Sequence, residues 1–346
     1  CHITFVDKHA KPGGHWNDAY GFVALHQPSG TYGVNSMAFP SEQIDTHGPN
    51  KGLFALASGQ EVLAYFERLM NMRLLPTGRV AYHRLSEYLG RDDNGVATIR
   101  SILNGGETTI AIRRKLVDAT FYQTSVPSTH TPNFEVAAGV DLAAPGDLPA
   151  LWMEPDTLPE RYVVLGAGKT GMDAVVYLLL HLEVDPSNIL WIMPNDAWIT
   201  ARESIGSCME FLHSCAKLSV ESTNDIVHSK EFFQQGFIEW EKEGKIYRLD
   251  QSILPTKFKD ATLSQSELTF LRRVRKSVVR RGRVQSISDD GTLQFADGTS
   301  LGLPFDAAST IFVHCSAGAF NYTKHSVEEV RPIFDKRCIT IQDVYG

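Results

Sequence analysis

The 346-residue chain is poor in several features that mark whole function classes. It has no CxxC pair. Its five cysteines, Cys1, Cys208, Cys215, Cys315 and Cys338, show neither a dithiol motif nor zinc-type spacing. That counts against a disulfide-reductase mechanism built on adjacent cysteines. An odd number of scattered thiols in a chain this long points to a reducing compartment, so a cytoplasmic location is expected. No apolar run approaches the roughly 18 residues of a membrane-spanning helix. Positive charge is not in excess either: 33 Lys plus Arg against 40 Asp plus Glu leave a net charge of −7. Nucleic acid is therefore not expected as the main partner. The N-terminus lacks the basic-then-apolar pattern of a signal peptide. No repeat of fixed period and no low-complexity tract is visible, and the length favours two domains.

What is present is concentrated in one mid-chain stretch, "RYVVLGAGKTGMDAVVYLLLHLEVDPSNILWIMPNDAW". Tyr162 to Leu165 read as a strand buried on both faces. Gly166, Gly168 and Gly171 then fit G-x-G-x-x-G, with Lys169 and Thr170 inside the loop. A helix is expected from Thr170 through Leu182, with Ala174, Val175, Leu178 and Leu182 on one face, and a second strand from Ile189 to Met193. Strand, glycine loop, helix and strand in this order is the fingerprint of a dinucleotide-binding βαβ unit. The first glycine permits the tight turn, the second lets the backbone approach a pyrophosphate, and the third lets the helix pack on the strand. The helix N-terminus faces the anion. Beyond the second strand, Asp196 favours NAD and Arg202 favours the 2′-phosphate of NADP; the expectation is NADP, with NAD left open.

The chain opens "CHITFVDKHAKPGGHW", a short strand at Ile3, Phe5 and Val6 ending on Asp7. An acid ending a strand is either an ordinary terminus or the ribose-binding acid of a second dinucleotide unit. Upstream of the mid-chain module, "SGQEVLAYFERLMNMRLLPTGRV" reads as an amphipathic helix with Val62, Tyr65, Phe66 and Met70 on one face, stopped at Pro76–Thr77–Gly78. Short strands follow from Val80 to about Val140, with a hairpin at Asn104–Gly105–Gly106. Downstream, Val284 to Ser288, a turn at Asp290–Gly291, a returning strand through Phe295 and a buried strand at Thr310 to His314 complete the pattern.

On "FVDKHAKPGGHW", "LHQPSGTYGVNS", "VVLGAGKTGMDAV" and "FADGTSL…FDAASTIFVHCSAG", nearly the whole chain resembles the two-dinucleotide-domain flavoproteins. Among these it is most similar to the flavin-containing and Baeyer–Villiger-type monooxygenases. The resemblance implies an α/β fold of two Rossmann-like domains, one for FAD and one for NAD(P), the second inserted into the first. It implies an FAD-binding part over residues 1–155, an NAD(P)-binding domain over 156–300, and a return to the FAD part over 301–346. The FAD part is expected to be incomplete at both ends, lacking its glycine loop before Asp7 and its C-terminal covering helix.

By the same resemblance Asp7 takes the FAD ribose, and Gly13, Gly14 and Trp16 line the flavin pyrophosphate and ring. Gln27, Ser29 and Tyr32 approach the isoalloxazine, and Ser316 and Gly318 lie beneath the FAD. The implied activity is an oxidoreductase reduced by NAD(P)H, with a monooxygenase using O₂ on a small organic substrate as the leading version. An NAD(P)H-dependent reductase or oxidase without oxygen insertion, and a non-catalytic nucleotide-binding module, stay open.

Several features depart from the pattern or read as structural. The monooxygenase fingerprint requires a glycine before its histidine, and "FYQTSVPSTHTPNF" contains none; His130 there reads as a turn residue. The seven basic residues of "LRRVRKSVVRRGRV" read as a solvated helix face running into a strand, with Arg280, Arg281 or Arg283 near an NADP phosphate as the lesser reading. Cys315 reads as a buried thiol, and Cys208 and Cys215 as packing residues of one helix.

Overall fold

The computed structural model describes residues 1–40, 43–121, 124–151, 153, 158–205, 230–318 and 332–341. Cys208 and Cys215 lie outside them. Along the chain two compact units alternate. The first comprises Cys1–Ala19, Gln60–His130 and Ala317–Gly346, and the second Tyr20–Gly59 and Thr131–Ser316.

The second unit is built on a five-stranded parallel sheet. Its strands are β1 (Leu142–Ala143), β2 (Arg161–Leu165), β3 (Ile189–Ile192), β4 (Val278–Val279) and β5 (Thr310–His314), in the order β1-β5-β2-β3-β4. Successive side chains of a strand point to opposite faces, and here both faces are covered, so the strands are mostly apolar, with Arg161, Thr310 and His314 at their ends. Tyr162, Val164, Ile189, Trp191, Ile311 and Val313 face helix α1 (Lys169–Leu180) and helix α2 (Gln265–Arg273). These helices bring Ala174, Val175, Leu178, Leu268 and Leu271 to the same core. Each fully buried Leu or Val contributes roughly 1.5–3 kcal/mol. Val163, Leu165, Leu190, Ile192 and Phe312 face the other way, onto Ile287, Leu293 and Phe295.

Those last three belong to the hairpin foreseen at Asp290–Gly291. Val284–Ile287 and Leu293–Phe295 pair antiparallel, joined by Ser300–Leu301 and, in parallel, by Glu135–Val136. Gly291 has φ +78°, and a β-carbon on it would lie 2.8 Å from Leu303 Cδ1. Helix α2 starts on a reciprocal cap. Ser264 Oγ accepts from the Glu267 amide at 3.1 Å, and the Ser264 amide donates to Glu267 Oε2 at 2.7 Å.

The units divide the chain differently from the expected domain bounds. Strand β5 pairs with β2 from Arg161↔Thr310 to Leu165↔His314, so the segment after 301 is still part of the second unit's sheet. The return comes after Ser316. A strand buried on both faces reads the same from the sequence whichever sheet it joins. Residues 20–59 also belong with the second unit, through polar bonds described below.

In the first unit Ile3–Val6 pairs in parallel with Val80–His83. Ser86–Arg91, Val96–Ser101 and Glu107–Ala111 form an antiparallel meander, with Gly105 at φ +72° in the foreseen turn. The expected helix spans Gly59–Leu69 and buries Val62, Tyr65 and Leu69. The chain end rejoins this unit where Cys338–Thr340 pairs in parallel with Leu116–Asp118. Among the described residues no helix is long and apolar enough to cross a membrane, and no group of three or more metal-ligating side chains is present.

Candidate functional site

The glycine loop follows β2 directly and is held by the neighbouring strands. The Gly166 amide donates to Ile192 O at 3.0 Å, and the Trp191 indole donates to Gly166 O at 2.7 Å. Each glycine meets a different constraint. Gly166 has φ +134°, and a β-carbon there would lie 2.5 Å from Cys315 O. A β-carbon on Gly171 would lie 2.4 Å from Gly166 O, so only glycine lets α1 sit this close to the loop. At Gly168 a β-carbon would meet nothing within 4 Å. That position faces open space. The first intrahelical bond runs from the Met172 amide to Gly168 O at 3.1 Å, so the amides of Lys169, Thr170 and Gly171 precede the hydrogen-bonded turns. Backbone donors at a helix N-terminus, fronted by open space, suit an anion. The loop fits a dinucleotide pyrophosphate on all three counts.

The side chains around the loop form a buried polar network. Lys169 Nζ bonds Asp173 and lies 4.0 Å from Glu267 Oε1. Tyr20 donates its hydroxyl to Asp173 Oδ2 at 2.7 Å. Arg202 donates Nη1 to Glu267 Oε2 at 2.5 Å and to Asn50 Oδ1 at 3.2 Å, Nε to His26 O at 3.1 Å, and Nη2 to Thr262 O at 3.1 Å. Burial pushes the Glu267 carboxyl up, but Lys169, Arg202 and the Ser264 amide outweigh it and hold it below the usual carboxylate range. Burial, followed by the Asp173 charge, raises the Tyr20 hydroxyl well above its ordinary value. Burial, with the Lys169 charge behind it, drops His26 to about 4, so that ring is neutral near pH 7. Burial also raises the Cys315 thiol, which makes it a poor nucleophile.

This network engages three of the expected residues. Arg202 is 2% exposed, with four N–H groups engaged internally. The Lys169 charge is taken by Asp173 and Glu267. Ser29, expected at the isoalloxazine, is 2% exposed; its hydroxyl donates to Ala55 O and accepts from the Ala57 amide, both at 2.7 Å. The sequence reading did not single out Tyr20, His26, Asp173 or Glu267. Two local signals were available: Lys169 and Asp173 stand at i,i+4, and Ser264-x-x-Glu267 has the spacing of a capping box.

At the carboxyl edge of the sheet, the tips of β3 and β4 are tied by the Met193 amide donating to Val279 O at 2.9 Å. Asp196, just beyond β3, is met by Arg280, the residue after β4. Nε lies 2.5 Å from Oδ2 and Nη2 3.1 Å from Oδ1.

The remaining expected residues fall into both units. In the first, the Asp7 amide donates to His83 O at 3.0 Å, and Asp7 Oδ1 lies 2.9 Å from both the His9 amide nitrogen and His9 Nδ1. His9 Nε2 lies 2.9 Å from Asp18 Oδ2, so one imidazole bridges two carboxylates. Beside them, burial and then the Asp7 charge push the Tyr82 hydroxyl up to about 12. Gly13 has φ +130°, and a β-carbon there would lie 2.6 Å from Leu63 Cδ2. Gly14 and Trp16 follow in a short turn of 3₁₀ helix, Gly14–Asp18. Gly318 O accepts from Ser125 at 3.4 Å. Gln27, Ser29, Tyr32 and Ser316 belong to the second unit; Tyr32 packs edge-on to Phe39, ring centroids 6.2 Å apart, and Ser316 is exposed.

No family model matches the chain. It is 38% identical over 344 residues, 99% of its length, to uncharacterised proteins of Mycobacterium tuberculosis and Mycobacterium bovis, and spans about 60% of their length. Among solved structures it is similar to cyclohexanone monooxygenase bound to ε-caprolactone, with a TM-score of 0.50 and 13% identity over 94% of this chain and 70% of that one. It is also similar to a flavin monooxygenase variant from Stenotrophomonas maltophilia, with a TM-score of 0.47 and 14% identity over 91% of this chain and 77% of that one. At such identities the likeness speaks to fold alone. With its parallel sheet, glycine loop and threaded second unit, the chain has the α/β fold of flavoproteins with two dinucleotide-binding domains.

Proposed function

We propose that the chain serves an FAD-dependent oxidoreductase reduced by a nicotinamide dinucleotide, with the dinucleotide held by the second unit and the FAD by the first. The observation that carries this reading is the glycine loop, where Gly166 and Gly171 close against protein atoms and Gly168 opens onto free space. The flavin and nicotinamide supply the hydride chemistry when bound. The protein's part is position. The Lys169, Thr170 and Gly171 amides orient the pyrophosphate, and the network from Tyr20 to Arg202 fixes α1 and α2 so that the loop keeps its shape. Asp7, held by its backbone in register with His83 and by His9 at one oxygen, is the ribose acid of the flavin module. Gly13, Gly14 and Trp16 stand next to it, and no protein side chain is assigned as an acid or base.

The finer reading is a monooxygenase that places one oxygen atom of O₂ on a small organic substrate. Reduction of an acceptor without oxygen insertion is the second reading, favoured by the absence of glycine in the segment leading to His130. Absorbance of the purified chain and titration with NADPH and NADH test the oxidoreductase reading. A colourless protein that binds neither nucleotide overturns it. Product analysis under ¹⁸O₂ separates the two versions, since only the monooxygenase puts the label in the organic product.

A further inference from the structure

Along α1 the second unit holds a cavity of about 320 Å³ that the dinucleotide reading leaves unused. Its volume falls in the range of small-molecule pockets, roughly 300–1,000 Å³. One wall is a face of α1, where Lys169, Asp173, Val176, Tyr177 and Leu180 recur at the spacing of a single helical stripe. The 20–59 segment adds Phe22, Leu25, Asp45, Asn50 and Leu56. None of the three loop glycines lines the cavity, and neither does Asp196. It therefore runs along the helix rather than across its N-terminus.

The lining divides by chemistry. Phe22, Leu25, Leu56, Val176, Tyr177 and Leu180 form an apolar part, and the rings of Phe22 and Tyr177 stack with centroids 4.0 Å apart. The polar part holds three carboxylates, Asp45, Asp173 and Glu267, against two cations, Lys169 and Arg202. Two of the carboxylates are matched. Lys169 and Tyr20 take the two oxygens of Asp173, and Arg202 takes Glu267. Asp45 is left over. Its Oδ2 accepts from the Asn50 side chain at 2.6 Å, a neutral donor, and no cation among the described residues meets it. Asn50 is itself fixed, donating to Phe54 O at 2.9 Å and accepting from Arg202 at 3.2 Å. A half-buried carboxylate is thus held in place beside an apolar cleft with its charge uncompensated.

We propose that this cavity binds a small organic amine in its ammonium form, with the cation on Asp45 and an apolar body along α1. An anion would meet an excess of carboxylates. A neutral molecule of the same shape would cover Asp45 without balancing it. A charge-assisted bond to the carboxylate is the stronger one. An ammonium nitrogen has no lone pair, so the site holds the amine as an anchored ligand and not as an oxygen acceptor. The site stands apart from the proposed redox activity, and no cofactor takes part in it.

The test is isothermal titration of the purified full chain with 2-phenylethylamine, 2-phenylethanol and phenylacetate, probes of similar shape with a positive, a neutral and a negative head. The amine is expected to bind about tenfold or more tightly than the alcohol, with phenylacetate weakest and the advantage shrinking as salt rises. Asp45→Asn should bring amine and alcohol to equal affinity. Leu56→Trp, which narrows the apolar part, should weaken both.

Equal binding of amine and alcohol by the native chain overturns the proposal, as does tighter binding of phenylacetate or no binding of the amine. An advantage of the amine that survives Asp45→Asn overturns it too, because it places the amine elsewhere on a chain of net charge −7. So does an affinity that Leu56→Trp leaves unchanged. The native-chain comparison and its salt dependence decide the matter even if a variant does not fold. Neither flavin nor nicotinamide enters the titration, so failure here leaves the redox reading standing.

Discussion

Arg202 Nη1 and Glu267 Oε2 meet at 2.5 Å inside the second unit, joining the turn after Ala197–Ala201 to the first turn of α2. Their side chains are 1% and 12% exposed, so each desolvates the other's charge as well as balancing it. Such a pair contributes little against an apolar replacement of both partners, but removing one partner strands a buried charge.

Arg202→Leu should therefore lower stability by about 3–5 kcal/mol, read as a fall in urea midpoint. The affinity ratio between NADPH and NADH should not move, because the guanidinium is engaged by Glu267, Asn50, His26 and Thr262. A lost ratio with an unchanged midpoint would return Arg202 to the phosphate.

The three loop glycines should separate in their effects. Gly166→Ala forces a β-carbon to 2.5 Å from Cys315 O at a φ of +134°, and Gly171→Ala forces one to 2.4 Å from Gly166 O. Backbone cannot give way as a side-chain tip can, so each should destabilise by roughly 1–3 kcal/mol or more. Gly168→Ala meets nothing and should melt close to the native temperature. Its methyl enters the space before the loop, so Kd for the dinucleotide should rise about tenfold or more. Thermal melts and binding titrations on the three variants give both readouts, and a Gly168→Ala chain with native affinity would remove the loop from the site.

These glycines were legible because turn chemistry is local: spacing, positive φ and a following helix leave marks within a few residues. Asp290–Gly291 and Asn104–Gly105–Gly106 were legible for the same reason. The burial of Arg202 was not legible, because it depends on Glu267, 65 residues away, and on carbonyls of His26 and Thr262 that no pattern signals. The bonds of the Ser29 hydroxyl to Ala55 and Ala57 were equally illegible. Thr310–His314 was recognised as a buried strand, but apolar content names no neighbour, so its sheet was not. Asp196 and Arg280 were both noticed, yet only the pairing of β3 with β4 shows that one neutralises the other.

His26 sets a pH dependence. Its pKa falls from an ordinary 6.5 to about 4 in the folded chain, first through burial and then through the Lys169 charge. Between those values the unfolded chain binds a proton that the folded chain refuses. Stability is therefore undiminished above pH 6.5 and declines as pH falls towards 4, by a total of about 3 kcal/mol from this group. Glu267 adds to the decline lower down. Its folded pKa is depressed, so its contribution is present above the unfolded carboxylate value and is lost as pH drops through the folded one. Urea midpoints measured from pH 7 to 4 should slope downwards, and His26→Gln should flatten the upper part of that slope. An unchanged slope in His26→Gln would show that the ring is protonated in the folded chain.

The two nucleotide roles should come apart under mutation, because Asp7 and Gly168 belong to different units. Asp7→Ala removes the carboxylate that His9 steadies at 2.9 Å and that the flavin ribose is proposed to meet. Flavin affinity should fall, with the loss measured as free FAD after gel filtration, while NADPH titrates as in the native chain. Gly168→Ala should do the reverse. Asp7→Asn keeps an acceptor oxygen for the ribose but not the charge, so it should fall between native and Asp7→Ala. Since His9 also bridges to Asp18, some loss from Asp7→Ala could come from a loosened loop. His9→Gln measures that part, because it breaks the bridge and leaves the acid. If His9→Gln releases as much flavin as Asp7→Ala, the acid acts through loop order rather than through the ribose, and Asp7 loses its assigned role.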